Sequence, residues 1–430
     1  MDTIQETYKE TKIGKIPNEW EVVKMKEVAS FSQGTQIPNS NLFTENVENK
    51  LYRYLYISDF FTDRKIFYTT EKRTNYLVLE SDLVIVNTGN TTGKLLTGKT
   101  GILCNNAFKI TINNESLSQL YTKQYLDSHF YKKQIANILN SGGQPHLGHK
   151  NMGMVWIPKP PLSEQKKIAE ILSTVDEQIS LTEKIIEKSK ELKKGLMQKL
   201  FSEGIGHTEF KKTKIGRIPK DWEVLKVDDL LKRGVISSIQ DGNHGGIHPK
   251  SSDFVTEGIP FIMANSITKN NKLKLEGVSR ISVEQYQTLR IGFAEPKDIL
   301  LTHKGTVGLT AIVNDFHGSL MLTPQVTYYR IPNDDVLERK FLYYYFQSNI
   351  FQEIIDRYST QSTRAYIGIT NQKKLPLMLP NSISEQKKIV DILSEADAKI
   401  EKEEIKKKKL EELKKGLIQQ LLTGKKRVKI

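Results

Sequence analysis

The sequence predicts an α/β (α+β) protein in which two similar globular domains, related by pseudo-twofold symmetry, are separated by two long antiparallel coiled-coil helices. Two observations carry this prediction. Short motifs occur twice in the same order along the chain, and one motif of each set opens a long run of residues with helical spacing. A chain of 430 residues also exceeds what one hydrophobic core usually organises.

Three pairs of matching segments establish the internal duplication. The pairs are KIGKIPNEWEV at 12–22 and KIGRIPKDWEV at 214–224, SEQKKIAEIL at 163–172 and SEQKKIVDIL at 384–393, and LKKGLMQKL at 192–200 and LKKGLIQQL at 413–421. The stretches between these motifs barely align, so we expect two similar domains that recognise different things. The predicted limits are a first domain over 1–160, a central helix over 161–205, a second domain over 206–381, and a helix with a basic tail over 382–430.

Each SEQKK segment predicts the start of a long helix. Ser163 and Ser384 are N-cap candidates, because apolar residues spaced by three and four follow directly. A whole domain connects the two helices, so they can pack antiparallel against each other. The predicted helix-helix interface consists of Ile168, Leu172, Val175, Ile179, Ile186, Leu196, Leu200, Ile389, Leu393, Ala396, Ile400, Leu410, Leu417 and Leu421.

Inside the divergent stretches, one weak similarity remains. DLVIVNTGNTTGK at 82–94 resembles DILLTHKGTVG at 298–308, and each segment predicts a strand followed by a polar turn that contains glycine. The aromatic run at 341–346 predicts a buried helix, not a platform on which bases stack.

Composition restricts the class of protein. The formal net charge of +14 favours a polyanionic partner. No segment is apolar for long enough to span a membrane, and the N-terminus lacks the pattern of a secretory signal, so we expect a cytoplasmic protein. The single cysteine, Cys104, cannot form an intrachain disulfide, and we expect it in the core.

Catalytic motifs are missing from the sequence. There is no GxxxxGK[ST] phosphate loop and no histidine pair with metal-ligand spacing. The glycine clusters at 89–93 and 242–246 lack the lysine-serine ending of a phosphate loop, so we interpret them as turns. We therefore expect no catalytic residue and no metal site on this chain.

The duplicated motifs resemble those of the specificity subunits of Type I restriction-modification systems. The matching segments are Ile13–Pro17 with Trp20 and Pro160–Gln165, and, in the second half, Ile215–Pro219 with Trp222 and Ser384–Gln386. The second half departs from the proline-rich form, with LPNSISEQ where the first half has PKPPLSEQ. The resemblance covers essentially the whole chain.

The resemblance implies a non-catalytic subunit with two target-recognition domains, each reading one half of a bipartite site in double-stranded DNA. It also implies assembly with two modification subunits, which are methyltransferases, and with restriction subunits, which are ATP-dependent nucleases and translocases. No cofactor is expected on this chain. S-adenosylmethionine, ATP and Mg²⁺ are expected on the partner subunits, and no contact with a membrane is expected.

Polar and basic loop residues are the candidates for DNA contacts, because such side chains hydrogen-bond to base edges and phosphates. In the first domain they are Thr35, Gln36, Asn87, Thr88, Asn90, Thr91, Thr92, Lys94, Gln144, His146 and Lys150. In the second domain they are Asn243, His244, His248, Lys250, Thr302, His303, Lys304, Thr306, Gln361, Thr363 and Arg364.

Two other classes of protein remain as alternatives. A coiled-coil adaptor without DNA contacts would not need two divergent domains with polar loops. The specificity part of a fused restriction-modification enzyme would be accompanied by methyltransferase and nuclease motifs, which this sequence lacks.

Overall fold

The protein is described here from a computed structural model, which describes residues 7–46, 51–139, 146–315, 318–359 and 365–429. The chain forms two compact units. The first unit comprises 1–183 and 405–430, and the second comprises 184–404. Each unit thus contains one globular region together with one part of each long helix. The limits predicted for four separate regions stay a prediction.

The first unit is built from short strands and a few helices. Its strands are β1 (Tyr8–Thr11), β2 (Gly14–Pro17), β3 (Glu21–Lys24), β4 (Ala29–Gln33), β5 (Tyr52–Leu55), β6 (Phe67–Thr69), β7 (Leu77–Val78), β8 (Leu83–Val86), β9 (Leu95–Leu96), β10 (Gly101–Leu103), β11 (Ala107–Ile112) and β12 (Trp156–Lys159). Its helices are α1 (Met25–Val28), α2 (Gln119–Asp127), α3 (His129–Leu139), α4 (His149–Gly153) and the beginning of α5 (Leu162–Glu203).

The second unit has a matching set of elements. Its strands are β13 (Phe210–Thr213), β14 (Gly216–Pro219), β15 (Glu223–Lys226), β16 (Ser238–Gln240), β17 (Phe254–Val255), β18 (Ile259–Ile262), β19 (Arg280–Ile281), β20 (Phe293–Ala294), β21 (Ile299–Lys304), β22 (Thr306–Ile312), β23 (Leu320–Leu322), β24 (Val326–Arg330) and β25 (Pro376–Leu379). Its helices are α6 (Val227–Lys232), α7 (Val283–Thr288), α8 (Arg339–Gln347), α9 (Asn349–Ser359), α10 (Ile369–Gln372) and the beginning of α11 (Ile383–Leu421).

The two units share one sheet topology. One sheet has the order β4-β11-β8-β9 in the first unit and β16-β24-β21-β22 in the second. The other sheet has the order β6-β5-β10-β7, and its counterpart is β17-β19-β18-β23-β20, with one added edge strand. In both, the central pair is parallel, β5 with β10 and β18 with β23. The duplication seen in the motifs therefore extends through the stretches whose sequences barely align.

Buried apolar strands and an aromatic helix form the cores. All four residues of β8 are buried, as expected for a strand covered on both faces. In α8, Phe341, Leu342, Tyr344, Tyr345 and Phe346 are buried, which confirms the predicted buried helix. Cys104 is also buried, in a small apolar cluster.

The two long helices are present, but their N-caps differ from the prediction. Helix α5 begins at Leu162 and helix α11 at Ile383, so Ser163 and Ser384 lie inside the first turn. In α11 the cap is Ser382, whose hydroxyl accepts from the backbone nitrogen of Glu385 at 3.4 Å. Ser382 and Glu385 have the S-x-x-E spacing of a capping box, and this spacing could have identified the start.

Within each unit, the start of one long helix runs antiparallel to the end of the other. In the first unit, Lys414 pairs with Asp176 at 2.7 Å and Lys407 with Glu183 at 2.8 Å. In the second unit, the corresponding pair is Lys193 with Asp397 at 2.7 Å. As numbers rise on one helix, they fall on the other, which is the antiparallel arrangement.

Some of the predicted helix-helix interface residues lie in the hydrophobic cores of the two units, and the others lie elsewhere along the two long helices. Ile168, Leu172 and Leu421 lie in the core of the first unit, and Leu200, Ile389 and Leu393 lie in the core of the second. These helix ends therefore pack on the globular region as well as on the other helix. The remaining residues are buried or half-buried: Val175, Ile179, Ile186, Leu196, Ala396, Ile400, Leu410 and Leu417.

The repeated motifs meet in both units. In the first unit, Nε1 of Trp20 donates to Glu164 at 3.1 Å. In the second, Nε1 of Trp222 donates to Glu385 at 3.2 Å. Both tryptophans are fully buried. The tryptophan motif and the SEQ motif thus recur together because each pair forms one hydrogen-bonded contact between a hairpin and a helix start.

Candidate nucleic-acid interface

Four loop segments of the first unit converge where β4, β8, β10 and β11 meet. Gly34 donates its backbone N–H to Ala107, and Thr35 donates to Leu103. Asn87 donates to Asn106 and accepts from Leu147 through its carbonyl, at 3.0 Å and 2.8 Å. We call the segments 33–36, 87–94, 104–106 and 146–150 the polar edge of the first unit.

The second unit repeats the backbone contacts of Asn87 at His303, with different side chains. His303 donates its backbone N–H to Gln325 and accepts from Ile367 through its carbonyl, both at 2.9 Å. Gly242 donates to Thr323 at 3.3 Å. The polar edge of the second unit therefore comprises 241–248, 303–306, 323–325 and 365–367.

One glycine in each polar edge allows a close approach of two backbone segments. A Cβ atom on Gly34 would lie 1.9 Å from the carbonyl oxygen of Cys104, and one on Gly242 would lie 1.9 Å from that of Leu322. Neither position can hold a side chain without displacing backbone. Counting from these glycines, Gln33 and Gln36 occupy the positions that Asp241 and His244 occupy in the second unit.

Several predicted contact residues are buried and already bonded inside the protein. Asn243 is 1% exposed and bonds through its side chain to the backbone of 290–291. Thr302 bonds to Leu309, and Thr35 accepts from Arg73 at 2.7 Å. Asn87 and His303 are buried as well. All five side chains are therefore buried in this structure, and those of Asn243, Thr302 and Thr35 already have hydrogen-bond partners inside the protein.

The turn predicted over 302–306 is shorter in the structure. Thr302, His303 and Lys304 belong to strand β21, and Thr306 begins β22, so Gly305 alone connects the strands. The sequence pattern missed this because the strand continues into polar residues. The corresponding prediction for the first unit holds, since β8 ends at Val86 and a turn follows.

The other described candidates lie at or near the surface. Gln36, Thr88, Asn90, Thr91, Lys94, His146, Lys150, His244, Lys250, Lys304 and Thr306 are exposed, and Thr92 and His248 are half-buried. Thr88 and His146 are adjacent, with Oγ1 and Nδ1 3.5 Å apart. Gln144, Gln361, Thr363 and Arg364 lie outside the described residues.

Two clefts open at the polar edges. In the first unit, a cleft of about 540 Å³ is lined by Asn90, Thr91, Thr92 and Lys94 together with residues of α2 and α3. In the second unit, a cleft of about 320 Å³ is lined by His244, His248, Lys304 and Gln325. Both clefts thus present amide, hydroxyl, imidazole or ammonium groups to solvent.

Residues not chosen from the sequence also belong to the polar edges. Tyr366 is 42% exposed, and Nζ of Lys304 lies 5.9 Å from the centre of its ring. Asn105 and Asn106 are exposed in the connection between β10 and β11. The pair of asparagines between two apolar strands is a turn signal that could have drawn attention to this connection.

The described residues include no group of three or more His, Cys, Asp or Glu side chains placed to hold a metal ion. No helix of the described chain is both long and apolar enough to cross a membrane.

Comparison with known proteins identifies the family to which this chain belongs. The sequence model of the Type I restriction modification DNA specificity domain matches residues 17–191 and 219–414. These two matches cover most of the chain and coincide with the two halves of the duplication. The chain belongs to the family of Type I restriction-modification DNA specificity proteins.

Individual relatives extend over nearly the whole chain. The MjaVIII specificity subunit of Methanocaldococcus jannaschii is 28% identical over 442 aligned positions, which cover 99% of this chain and 97% of the relative. The EcoBI specificity subunit of Escherichia coli is 23% identical and covers 87% of this chain and 78% of its own length.

Solved structures show the same fold. The S subunit of a Type I system from M. genitalium superimposes with a TM-score of 0.58 at 13% identity, covering 94% of this chain and 96% of that one. A second chain, from a structure that describes complex assembly and conformational transition of the type I R-M system, gives a TM-score of 0.55 at 18% identity. It covers 95% of this chain and 99% of its own.

Proposed function

We propose that this chain is the DNA-reading subunit of a Type I restriction-modification complex. Each unit reads one half of a bipartite target through its polar edge. The chain binds two modification subunits and also restriction subunits, and acts in the cytoplasm. It carries no catalytic residue and no cofactor, so S-adenosylmethionine, ATP and Mg²⁺ are bound by the partner subunits.

One observation carries this proposal. The backbone contacts at Asn87 and at His303 are the same, whereas the exposed neighbours differ, Thr88 and His146 in one unit and Lys304 and Tyr366 in the other. A constant frame with different exposed donors and acceptors is what two readers of different base sequences require. An adaptor without DNA contacts would have no use for this difference.

Exchange of one polar edge tests the proposal. The two ends of residues 25–155 lie side by side, because Lys24 pairs with Trp156 in the β3-β12 sheet. The region 227–375 is bounded in the same way by Lys226 and Pro376. Each region can therefore be replaced by that of a relative while the repeated motifs and long helices stay unchanged.

The readout is the pattern of adenine methylation in cells that contain the chain and its modification subunit, mapped by long-read sequencing. Replacement of 25–155 should change one half of the methylated target, and replacement of 227–375 should change the other half. A change of both halves after a single exchange would contradict independent reading. Retention of the original target after both exchanges would exclude the polar edges as readers.

A further inference from the structure

A carboxylate and a histidine form a pair at the polar edge of the second unit. Asp241 is 4% exposed, and its Oδ2 lies 2.9 Å from Nε2 of His244. The side chain of His244 remains 54% exposed. A buried carboxylate therefore holds an accessible imidazole at the margin of the cleft that His248 and Lys304 also line.

The partners of the two histidines determine which ring nitrogens carry protons. A carboxylate only accepts, so Nε2 of His244 is the donor and Nδ1 is left for a ligand. In His248, Nδ1 lies 3.1 Å from the carbonyl oxygen of Asn243, so Nδ1 is the donor and Nε2 is left. Each remaining nitrogen accepts when the ring is neutral and donates when the ring is protonated.

The charges around His244 favour it over the other histidines as the group that takes up a proton. Asp241 is the anion in contact with it, while Lys304 is the cation that shares the cleft. His303 also approaches this carboxylate, with its Nε2 at 3.8 Å from Oδ2 of Asp241. Its ring is fully buried against Tyr366, and neither ring nitrogen has a hydrogen-bond partner among the described residues.

His303 itself stays neutral, because burial lowers its pKa to about 4. His248 bonds to a carbonyl oxygen, which carries no full charge to balance a second ring proton. DNA adds negative charge to the cleft when it binds, and this charge stabilises an imidazolium. Of the three histidines, His244 alone combines exposure with a directly bonded carboxylate.

We propose that the second unit takes up one proton on His244 when it binds DNA, and that the protonated ring donates from Nδ1 to an acceptor atom of the DNA. Asp241 is the positioning residue that orients the ring and balances its charge. The inference rests on the proposed function, since it assigns this pair to the reading of one half-site. The first unit has Gln33 and Gln36 at these two positions, and neither side chain titrates.

Proton uptake makes binding depend on pH in a defined direction. A group that is more fully protonated in the complex strengthens DNA binding at pH values below its ordinary pKa. This gain in affinity is lost as the pH rises through the pKa of the group in the complex. Histidine ordinarily titrates at about 6.5. Uptake of one proton changes the dissociation constant by at most about tenfold for each pH unit.

The experiment uses the full chain assembled with its modification subunit and duplexes that carry the mapped target. One duplex has both half-sites, and two others keep a single half-site each. Fluorescence anisotropy at constant ionic strength gives the dissociation constant from pH 6 to pH 8. It should rise roughly fivefold or more for the half-site read by the second unit. It should change less for the other half-site, where the exposed His146 faces the hydroxyl of Thr88 instead of a carboxylate.

Variants of single residues show which side chains cause the pH dependence of DNA binding. His244→Gln and Asp241→Asn should each remove the pH dependence, whereas His248→Gln should retain it. His129→Gln, at an exposed histidine outside the polar edges, should change neither affinity nor slope. Because His244 is exposed, its replacement tests the proposal even if Asp241→Asn impairs folding.

Modified duplexes then locate the acceptor. Loss of the slope with 7-deazaguanine identifies a guanine nitrogen, and loss with methylphosphonate linkages identifies a phosphate oxygen; either result supports proton uptake at a DNA contact. Specific binding that does not vary with pH, or a slope that persists in His244→Gln, would overturn the inference while leaving the proposed function intact. Absence of any sequence preference at every pH would overturn both.

Discussion

The contact between Arg427 and Glu164 predicts that the last residues of the chain stabilise the first unit. Arg427 donates from Nε to Oε1 at 2.6 Å and from Nη2 to Oε2 at 2.9 Å. This bond raises the pKa of Arg427 above its ordinary value. Glu164 is 1% exposed and also accepts from Trp20. Replacement of Arg427 with Met would therefore leave a buried carboxylate with the indole as its donor among the described residues.

The expected loss follows from the burial of the two partners. Removing one member of a buried ion pair costs about 3 to 5 kcal/mol, because the other charge remains without compensation. Arg427 keeps 25% of its side chain exposed, so solvent screens part of the interaction. We therefore expect Arg427→Met to lower the free energy of unfolding of the first unit by about 3 kcal/mol, the lower end of that range.

The second unit offers a matched control. Glu385 accepts from Trp222 and from the backbone nitrogen of Ile205 at 2.9 Å, and it also bonds to His207. His207→Ala removes one of these three donors and leaves the carboxylate with two. The expected loss in the second unit is about 1 kcal/mol.

Hydrogen exchange followed by mass spectrometry distinguishes the two units. A loss of about 3 kcal/mol corresponds to roughly 150-fold faster exchange of the most protected amides, which we expect in β4 and β11. Strands β16 and β24 should be unaffected by Arg427→Met. In the double variant with Arg427→Met and Glu164→Gln, part of the protection of the β4 and β11 amides against exchange should return, because the neutral glutamine side chain leaves no uncompensated charge. Less than about tenfold acceleration, or equal acceleration in both units, would refute the reasoning.

Two further predictions concern the polar edges. Burial lowers the pKa of His303 to about 4, so the unfolded chain binds more protons than the folded chain at acidic pH. The free energy of unfolding of the second unit should therefore fall by about 2 kcal/mol as the pH is lowered from 7.5 to 5. His303→Asn, which introduces the residue of the first unit, should flatten this dependence in denaturant unfolding, and an unchanged acid loss would show that other groups cause it. Gly34→Ala and Gly242→Ala should each lower stability by about 3 kcal/mol or more, since the added Cβ meets backbone. Gly246→Ala, where nothing lies within 4 Å, should be neutral in thermal unfolding, and equal effects at the three glycines would contradict the steric argument.

The frame of the protein could be predicted because its signals are local and occur twice. The motifs around Trp20 and Trp222 and the SEQ segments marked the two halves, and the three-and-four spacing marked both long helices. The exact helix starts were missed, because Ser163 and Ser384 are preferred cap residues, although α5 begins directly after Pro161 and α11 directly after Ser382. For α11 the S-x-x-E spacing of Ser382 and Glu385 also indicated the boundary, and the hydrogen bond from the backbone nitrogen of Glu385 to Ser382 identifies Ser382 as the cap.

The residues at the polar edges were predictable as segments and not as individual contacts. Asn243 and Thr302 are residue types that bind DNA when exposed, yet both bond inside the protein. Asp241 lies in the same polar segment as His244, but the sequence does not show that its carboxylate is buried and bonded to that histidine. Exposure depends on tertiary contacts, and neither composition nor spacing reports it.

The contacts shared by the two polar edges are made by backbone atoms. Asn87 and His303 have unlike side chains, but each uses its N–H and carbonyl in the same way. The shared hydrogen bonds therefore do not depend on the side chains of exposed neighbours such as Gln36 and His244. These side chains can differ between the two units without loss of a shared backbone hydrogen bond. Mutations at such positions alter hydrogen-bonding groups at little cost in stability, whereas the glycines that permit the close approach cannot change. This separation explains how two domains with barely alignable sequences keep one topology while presenting different groups to their ligand.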